Sequence, residues 1–318
     1  MKLRVRTPSR LHWGLLRPAR KADGGRSFGG MGLTIEGQGV VLEATEAAEF
    51  SWSGLFGNRV EEFVCRYLES ASRSGLEPVQ PAHIEVVSSP PSHCGLGSGT
   101  QLALAIAWAL AYFSGHSQGV SLLAGHMRRA LRSSLGCQGF AMGGLLLDPG
   151  QQSAGSGMAE PEKRVEFPKE WPILVVTAEN CGSWFGNRET VAFKALHSPE
   201  SVSVAMERLA VNDILPAVRN RDFASLGDPV HEFNRLAGEA FSSVQGGAYS
   251  SPAIAEIVES LRVWGIRGVG QSSWGPCVFG LLADSDEAIW VKKRLQFSFP
   301  GRVWISRARN IGADMELL

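Results

Sequence analysis

Residues Pro90 to Gln101 read P-P-S-H-C-G-L-G-S-G-T-Q and run straight into a long apolar stretch. Glycines let a backbone approach a ligand closely, and the first free amides of a following helix then point at it. The positive end of the helix dipole favours an anion there. Gly95, Leu96, Gly97, Ser98, Gly99 and Thr100 are therefore a candidate phosphate-binding loop. The hydroxyls of Ser98 and Thr100 suit hydrogen bonding to phosphate or contact with a metal bound to it. A glycine turn that merely caps a buried helix is the alternative for the same residues. The loop has neither the Lys-Ser/Thr ending of a Walker sequence nor the G-x-G-x-x-G spacing of a dinucleotide fold.

The charge pattern around the loop sharpens this. From Val86 to Leu147 there is no Asp or Glu, where the overall frequency of acids would place about six. The same stretch carries Arg128, Arg129 and Arg132, so it is positive inside a chain with 31 basic and 31 acidic residues. Buried helices exclude charge and explain part of the deficit. The loops of the stretch are acid-free as well. A ligand with several phosphates selects such a pattern, because a nearby carboxylate repels it.

Further polar candidates lie outside the loop. Arg10 and His12 sit in the run R-L-H-W-G. Arg10 suits a substrate carboxylate or phosphate, and His12 a proton or hydrogen-bond donation, while the alternation fits a plain edge strand equally. Arg26, before Phe28-Gly29-Gly30, is either a substrate clamp or a solvated loop charge. Gln271, Ser272, Ser273 and Trp274 lie between Gly270 and Gly275 and offer donors plus an aromatic plate. They also fit a polar β-turn, although a Trp in a turn needs burial or a stacking partner. The five cysteines form no C-x-x-C, and the seven histidines no H-x-x-x-H, so neither a disulfide framework nor a zinc site is expected.

Two lobes must position these residues, since 318 residues correspond to about two domains. With 44% apolar and 19% charged residues the chain buries a sizeable core. In the first half, strands are expected over 2–6, 33–45, 84–87 and 144–148, and helices over 58–73, 98–114 and 120–132. In the second, strands are expected near 172–177, 266–270, 276–282 and 302–306. Helices are expected near 188–196, 200–219, 221–240, 253–264 and 286–296. The Gln/Ser/Gly/Pro-rich residues 150–163 read as the connection, giving lobes 1–155 and 165–318. The longest apolar run, Leu102 to Phe113, is well short of the ~20 residues of a membrane helix. Lys2, Arg4, Arg6 and Arg10 are followed by no apolar segment, so no signal peptide and a cytoplasmic location are expected. Balanced charge argues against a nucleic-acid partner.

The Gly95 to Thr100 loop resembles the phosphate-binding motif of the GHMP kinase superfamily. Within it, the chain is most similar to the phosphoribosyltransferases of tetrahydromethanopterin biosynthesis, the β-ribofuranosylaminobenzene 5'-phosphate synthases. The similarity runs through Arg10 to Gly14, Phe28 to Leu33, Gly95 to Gln101, Arg132-Ser133, Gly143-Gly144, Gln245 to Gly247, Tyr249 and Gly268 to Pro276. The resemblance implies a two-lobed α+β fold, with a ribosomal S5 domain 2-like N-terminal lobe and a ferredoxin-like C-terminal lobe. It implies that an aminobenzoate (or 4-hydroxybenzoate) attacks phosphoribosyl pyrophosphate through its ring carbon, with loss of carbon dioxide and pyrophosphate. Magnesium (Mg2+) and a homodimer are implied with it. Arg10, His12, Arg132 and Gln271 then become catalytic candidates. Arg26, Gly29, Gly30, Ser133, Gln245, Gly246, Ser272, Ser273 and Trp274 become substrate-binding ones.

Superfamily kinases usually carry a catalytic Asp about seven residues before the Gly-Gly pair, a position that here is Gly136. No carboxylate occurs from Gly115 to Leu147. A kinase needs a group that orients or deprotonates the attacking hydroxyl, whereas an electron-rich ring carbon does not. An ATP-dependent small-molecule kinase is thereby disfavoured. A catalytically silent ligand-binding relative is disfavoured by the intact Gln271 to Pro276 turn.

Overall fold

The computed structural model describes residues 1–16, 27–76, 78–151, 158–159, 161–178 and 199–318. Arg26 and the helix expected over 188–196 lie outside the described residues. The first sheet has the order β13-β1-β4-β6-β5, from β1 (Lys2–Arg6), β4 (Val41–Glu46), β5 (Ser51–Gly54), β6 (Ala82–Ser88) and β13 (Asp314–Leu317). Its strands alternate as half-buried strands must. Leu3 and Val5, Leu42 and Ala44, and Ala82, Ile84 and Val86 all face inward. That face takes the apolar stripe of α1 (Gly57–Arg73), namely Val60, Phe63, Val64, Tyr67 and Ala71. Helix α2 (Ser98–Phe113) is buried almost all round, enclosed by α1, β1, β4, α3 (Val120–His126) and α4 (Leu135–Met142).

A second sheet, β2-β3-β7-β8, joins β2 (Ser9–Leu15), β3 (Gly30–Ile35), β7 (Leu145–Asp148) and β8 (Lys163–Val165). The third, β10-β11-β9-β12, joins β9 (Ile173–Ala178), β10 (Gly268–Gln271), β11 (Cys277–Leu281) and β12 (Gly301–Ser306). One face of the third sheet is covered by Pro252–Val263 and Ser285–Ser298, whose Ile254, Ile257, Leu261, Val291 and Leu295 meet Leu174, Val176, Val269 and Val278. Its other face joins a core shared by both lobes. There the helix Phe223–Glu239, here α5, packs Leu226, Val230, Phe233 and Ala237 against Leu11, Trp13 and Phe279. The helical run 200–219 contains a π-helical turn, Leu209–Ile214, just before Pro216, whose missing N–H breaks the regular ladder.

These are two α+β lobes, as expected, with three differences. The segment 9–15 is a full strand at the edge of the second sheet, with a register shift between His12 and Gly14. The last strand, β13, returns to the first sheet and pairs Leu3 with Leu317, so the lobes are not split at one point of the chain. The helix expected over 120–132 stops at His126, because Arg128 (φ 50°) and Ala130 (φ 57°) adopt the left-handed region. No described helix is long and apolar enough to cross a membrane.

Candidate active site

Gly97, with φ 77°, precedes α2, and no side chain caps that helix. The first-turn amides of Ser98 and Gly99 are therefore left at a cavity of about 310 Å3 that both residues line. The loop is fixed at its base: the Arg10 N–H donates to Leu96 O at 3.0 Å, and Ser272 Oγ donates to Gly95 O at 2.7 Å. Ser272 Oγ also accepts the His12 N–H at 2.9 Å, and the Ser273 N–H donates to His12 O at 3.0 Å. Backbones meet so closely here that a Cβ at Gly275 would lie 2.3 Å from Gly95 N.

Arg10, His12, Gly95, Gly97, Ser98, Gly99, Thr100, Gln245, Gln271, Ser273 and Trp274 all line the cavity. Ser272 and Leu96 are buried behind it. Gly30 backs the site, because a Cβ there would meet His12 Cε1 at 3.5 Å, while a Cβ at Gly29 would meet Asp148 O at 2.8 Å. Gln271 spends its side-chain amide on the wall: Oε1 accepts the Ser250 N–H at 3.0 Å, and Nε2 donates to Gly275 O at 2.8 Å. Trp274 stands edge-on to Phe241, ring centres 4.4 Å apart, which supplies the partner its turn position requires. Gly246 (φ 84°) ends the short helix Ser242–Gln245 and is not among the lining residues.

Arg132 and Ser133 do not line the cavity either. Ser133 Oγ donates to Asp148 at 3.1 Å. Asp148 is fully buried, raised in pKa by that burial, and also accepts the N–H groups of Ser134 (2.6 Å) and Gly150 (3.0 Å). This carboxylate holds a turn rather than facing the ligand space. At the kinase-type position, a Cβ on Gly136 would meet Thr100 Cγ2 at 3.2 Å.

The sequence reading passed over Arg59 and did not place Arg129 in the site. Arg59, in the first turn of α1, lies across the loop, its Nη2 2.7 Å from where a Gly99 Cβ would stand. It also donates to Ser92 Oγ at 2.9 Å. Arg129 stacks on Phe63, its guanidinium 5.0 Å from the ring centre. With Arg10 they bring three guanidinium groups to a cavity whose described lining includes no Asp or Glu. Burial, followed by repulsion from Arg66 and Arg59, pulls Arg129 down to about 10, so it stays charged at neutral pH. His12 is pulled well below its ordinary 6.5 by burial and then by Arg10, and is neutral. Among the described residues no group of three or more His, Cys, Asp or Glu could hold a metal ion.

The neutral state of His12 has a consequence for stability. The unfolded chain takes up this proton near pH 6.5 while the folded chain resists it, so the contribution is intact above about pH 6.5 and lost below. His126 and His231, also lowered by burial, act in the same direction. The melting temperature is expected to fall between pH 7.5 and 5.5, and to fall less in His12→Asn. Equal slopes in the two proteins would show that His12 is not the proton acceptor.

The chain matches the GHMP kinases N terminal domain over residues 58–138 and the GHMP kinases C terminal domain over 214–301. It is 30% identical to the β-ribofuranosylphenol 5'-phosphate synthase of Methanothermobacter thermautotrophicus, over 99% of both chains. To the enzyme of that name from Archaeoglobus fulgidus it is 29% identical, over 99% of this chain and all of that one. Mevalonate diphosphate decarboxylase from Staphylococcus aureus shares the fold, with a TM-score of 0.69 at 14% identity over 99% of this chain and 98% of that one.

Proposed function

Since the chain belongs to the GHMP kinase superfamily and to the family of the β-ribofuranosylphenol 5'-phosphate synthases, we propose that it is a decarboxylating phosphoribosyltransferase. Its substrates are phosphoribosyl pyrophosphate and a para-substituted benzoate. The names of the relatives favour 4-hydroxybenzoate, whose product is a ribosylated phenol, over 4-aminobenzoate. The observation that carries the reading is the cavity itself: free helix amides and three arginines, with no carboxylate among its described lining residues.

In this reaction the ring carbon that bears the carboxylate attacks the anomeric carbon of the sugar. The bond to pyrophosphate breaks, and its electron pair leaves with pyrophosphate. The ring–carboxylate bond then breaks, carbon dioxide departs, and its electron pair restores the aromatic ring. No proton leaves the ring carbon, so the step requires no carboxylate base. The protein must stabilise the leaving anion, hold the ring, and exclude water that would hydrolyse the activated sugar. The amides and hydroxyls of Ser98 to Thr100 serve the first task. The Phe241–Trp274 wall, braced by Gln271 and Ser272, serves the other two. Neutral His12 is available as a hydrogen-bond donor to the donor sugar or the acceptor. A magnesium ion fits the hydroxyls of Ser98 and Thr100, hard oxygen donors that would complete a shell supplied mainly by phosphates and water, and it would neutralise pyrophosphate charge.

The decisive experiment mixes the protein with phosphoribosyl pyrophosphate, carboxyl-labelled 4-hydroxybenzoate and magnesium. Labelled carbon dioxide and pyrophosphate are expected in equal amounts, with no need for ATP. ATP-dependent phosphorylation without carbon dioxide release would overturn the reading in favour of a kinase.

A further inference from the structure

We infer that Arg59 and Arg129 form a clamp for the diphosphate group of the sugar donor, and so decide between a pyrophosphorylated and a monophosphorylated sugar. The inference rests on the reading above and names the part of the cavity that carries the leaving group. Three guanidinium groups, Arg59, Arg66 and Arg129, lie 5.0–5.7 Å from the centre of one ring, Phe63. Arg66 is paired with Glu62, four residues earlier on α1. Among the described residues the Arg129 side chain makes no hydrogen bond or ion pair, and its Nε is buried without a partner. Like charges packed this closely repel, and a buried guanidinium donor left unsatisfied is costly.

Backbone strain holds Arg129 in that position. Arg128 and Ala130, on either side of it, both have positive φ, at 50° and 57°. A non-glycine residue in that region is strained, and strain of this kind gathers at ligand clamps. The turn ends α3 early and directs Arg129 to the same cavity that Arg59 reaches from α1. Both arginines line the cavity that Ser98 and Gly99 also line, Arg59 lying beside Gly99, so donors from three elements open on one space. A diphosphate carries enough acceptor oxygens and charge to satisfy all of them, and a single phosphate does not.

The test measures binding of inorganic pyrophosphate with magnesium by calorimetry, next to ribose 5-phosphate, in the unmodified protein and in Arg59→Gln, Arg129→Gln and Arg66→Gln. The first two variants are expected to weaken pyrophosphate binding about tenfold or more and to change ribose 5-phosphate binding less than twofold. Arg66→Gln should have little effect. Without ligand, Arg129→Gln should melt no lower than the unmodified protein, because it removes a desolvated, repelled charge; its thermal shift with pyrophosphate should be lost. Unchanged pyrophosphate affinity in both variants, or equal losses for both ligands, would overturn the clamp. If the clamp behaves as expected while no carbon dioxide is released, the reaction assignment fails and the diphosphate site stands.

Discussion

Replacing Gly97 by Val is expected to lower kcat/KM by more than a hundredfold while leaving a folded protein. Gly97 has φ 77°, a conformation that β-branched residues adopt at a cost of roughly 1–2 kcal/mol. The larger effect is on binding. A Cβ there would stand 3.1 Å from Arg10 Nε and 3.6 Å from its Nη2, and the two methyl groups of Val add bulk at the entrance to a helix whose first amides face the cavity. The arginine is displaced and the anion loses its backbone donors together. Circular dichroism and kinetics on the same preparation read the two effects separately. A folded variant with normal kcat/KM would remove the loop from the site.

The second large effect concerns stability. Asn234 on α5 donates from Nδ2 to Trp13 O (2.6 Å) and Gln271 O (2.8 Å), and its Oδ1 accepts the Gln271 N–H at 2.8 Å. One buried amide thus joins β2 of the second sheet to β10 of the third, directly beneath the cavity it also lines. Asn234→Leu leaves one N–H and two carbonyls buried without partners, a loss of roughly 3 kcal/mol or more. At roughly 2–4 °C per kcal/mol for a chain of this size class, the melting temperature should fall by about 6 °C or more. Gly270→Ala should behave similarly, since its Cβ would fall 2.4 Å from Asn234 Oδ1. A melting temperature unchanged in both variants would show that this network does not hold the lobes together.

The parts of this architecture that were readable in the sequence are those with local causes. The run Leu102 to Phe113 is apolar on every side and could only be a central helix, and the glycines before it announced a loop that exposes backbone. The acid-free stretch pointed to a cavity with no Asp or Glu among its described lining residues, because an anion site is expected to exclude carboxylates from the residues around it. Arg59 was invisible for the opposite reason. It occupies the first turn of an amphipathic helix, where an exposed arginine is ordinary, and only the packing of α1 on α2 sets it across Gly99. Arg129 was read as the tail of a helix, since nothing in M-R-R-A-L-R signals two left-handed residues. Helix α4 contains Gly136 and Gly139, which depress helix propensity. Tertiary packing favours them: a Cβ at Gly139 would strike Thr34 Cγ2 at 2.7 Å. Asn234, a polar residue within a helical stripe, carries no local mark of its three partners.

Because β13 is the partner of β1, one edge of the first sheet is completed by residues more than 300 positions further along the sequence. Until β13 docks, β1 presents an unpaired edge, and an exposed strand edge is apt to capture another chain. Of the basic residues of β1, Lys2 and Arg4 pair with Glu43 of β4 on one side, while Arg6 faces the edge that β13 covers, and a charged side chain on an edge discourages foreign strands. The strand that finally docks is acidic where β1 is basic, with Arg6 meeting Glu316 at 2.8 Å and Asp314 at 3.4 Å. The opposite charges that meet at this edge thus favour β13 over a basic competitor strand.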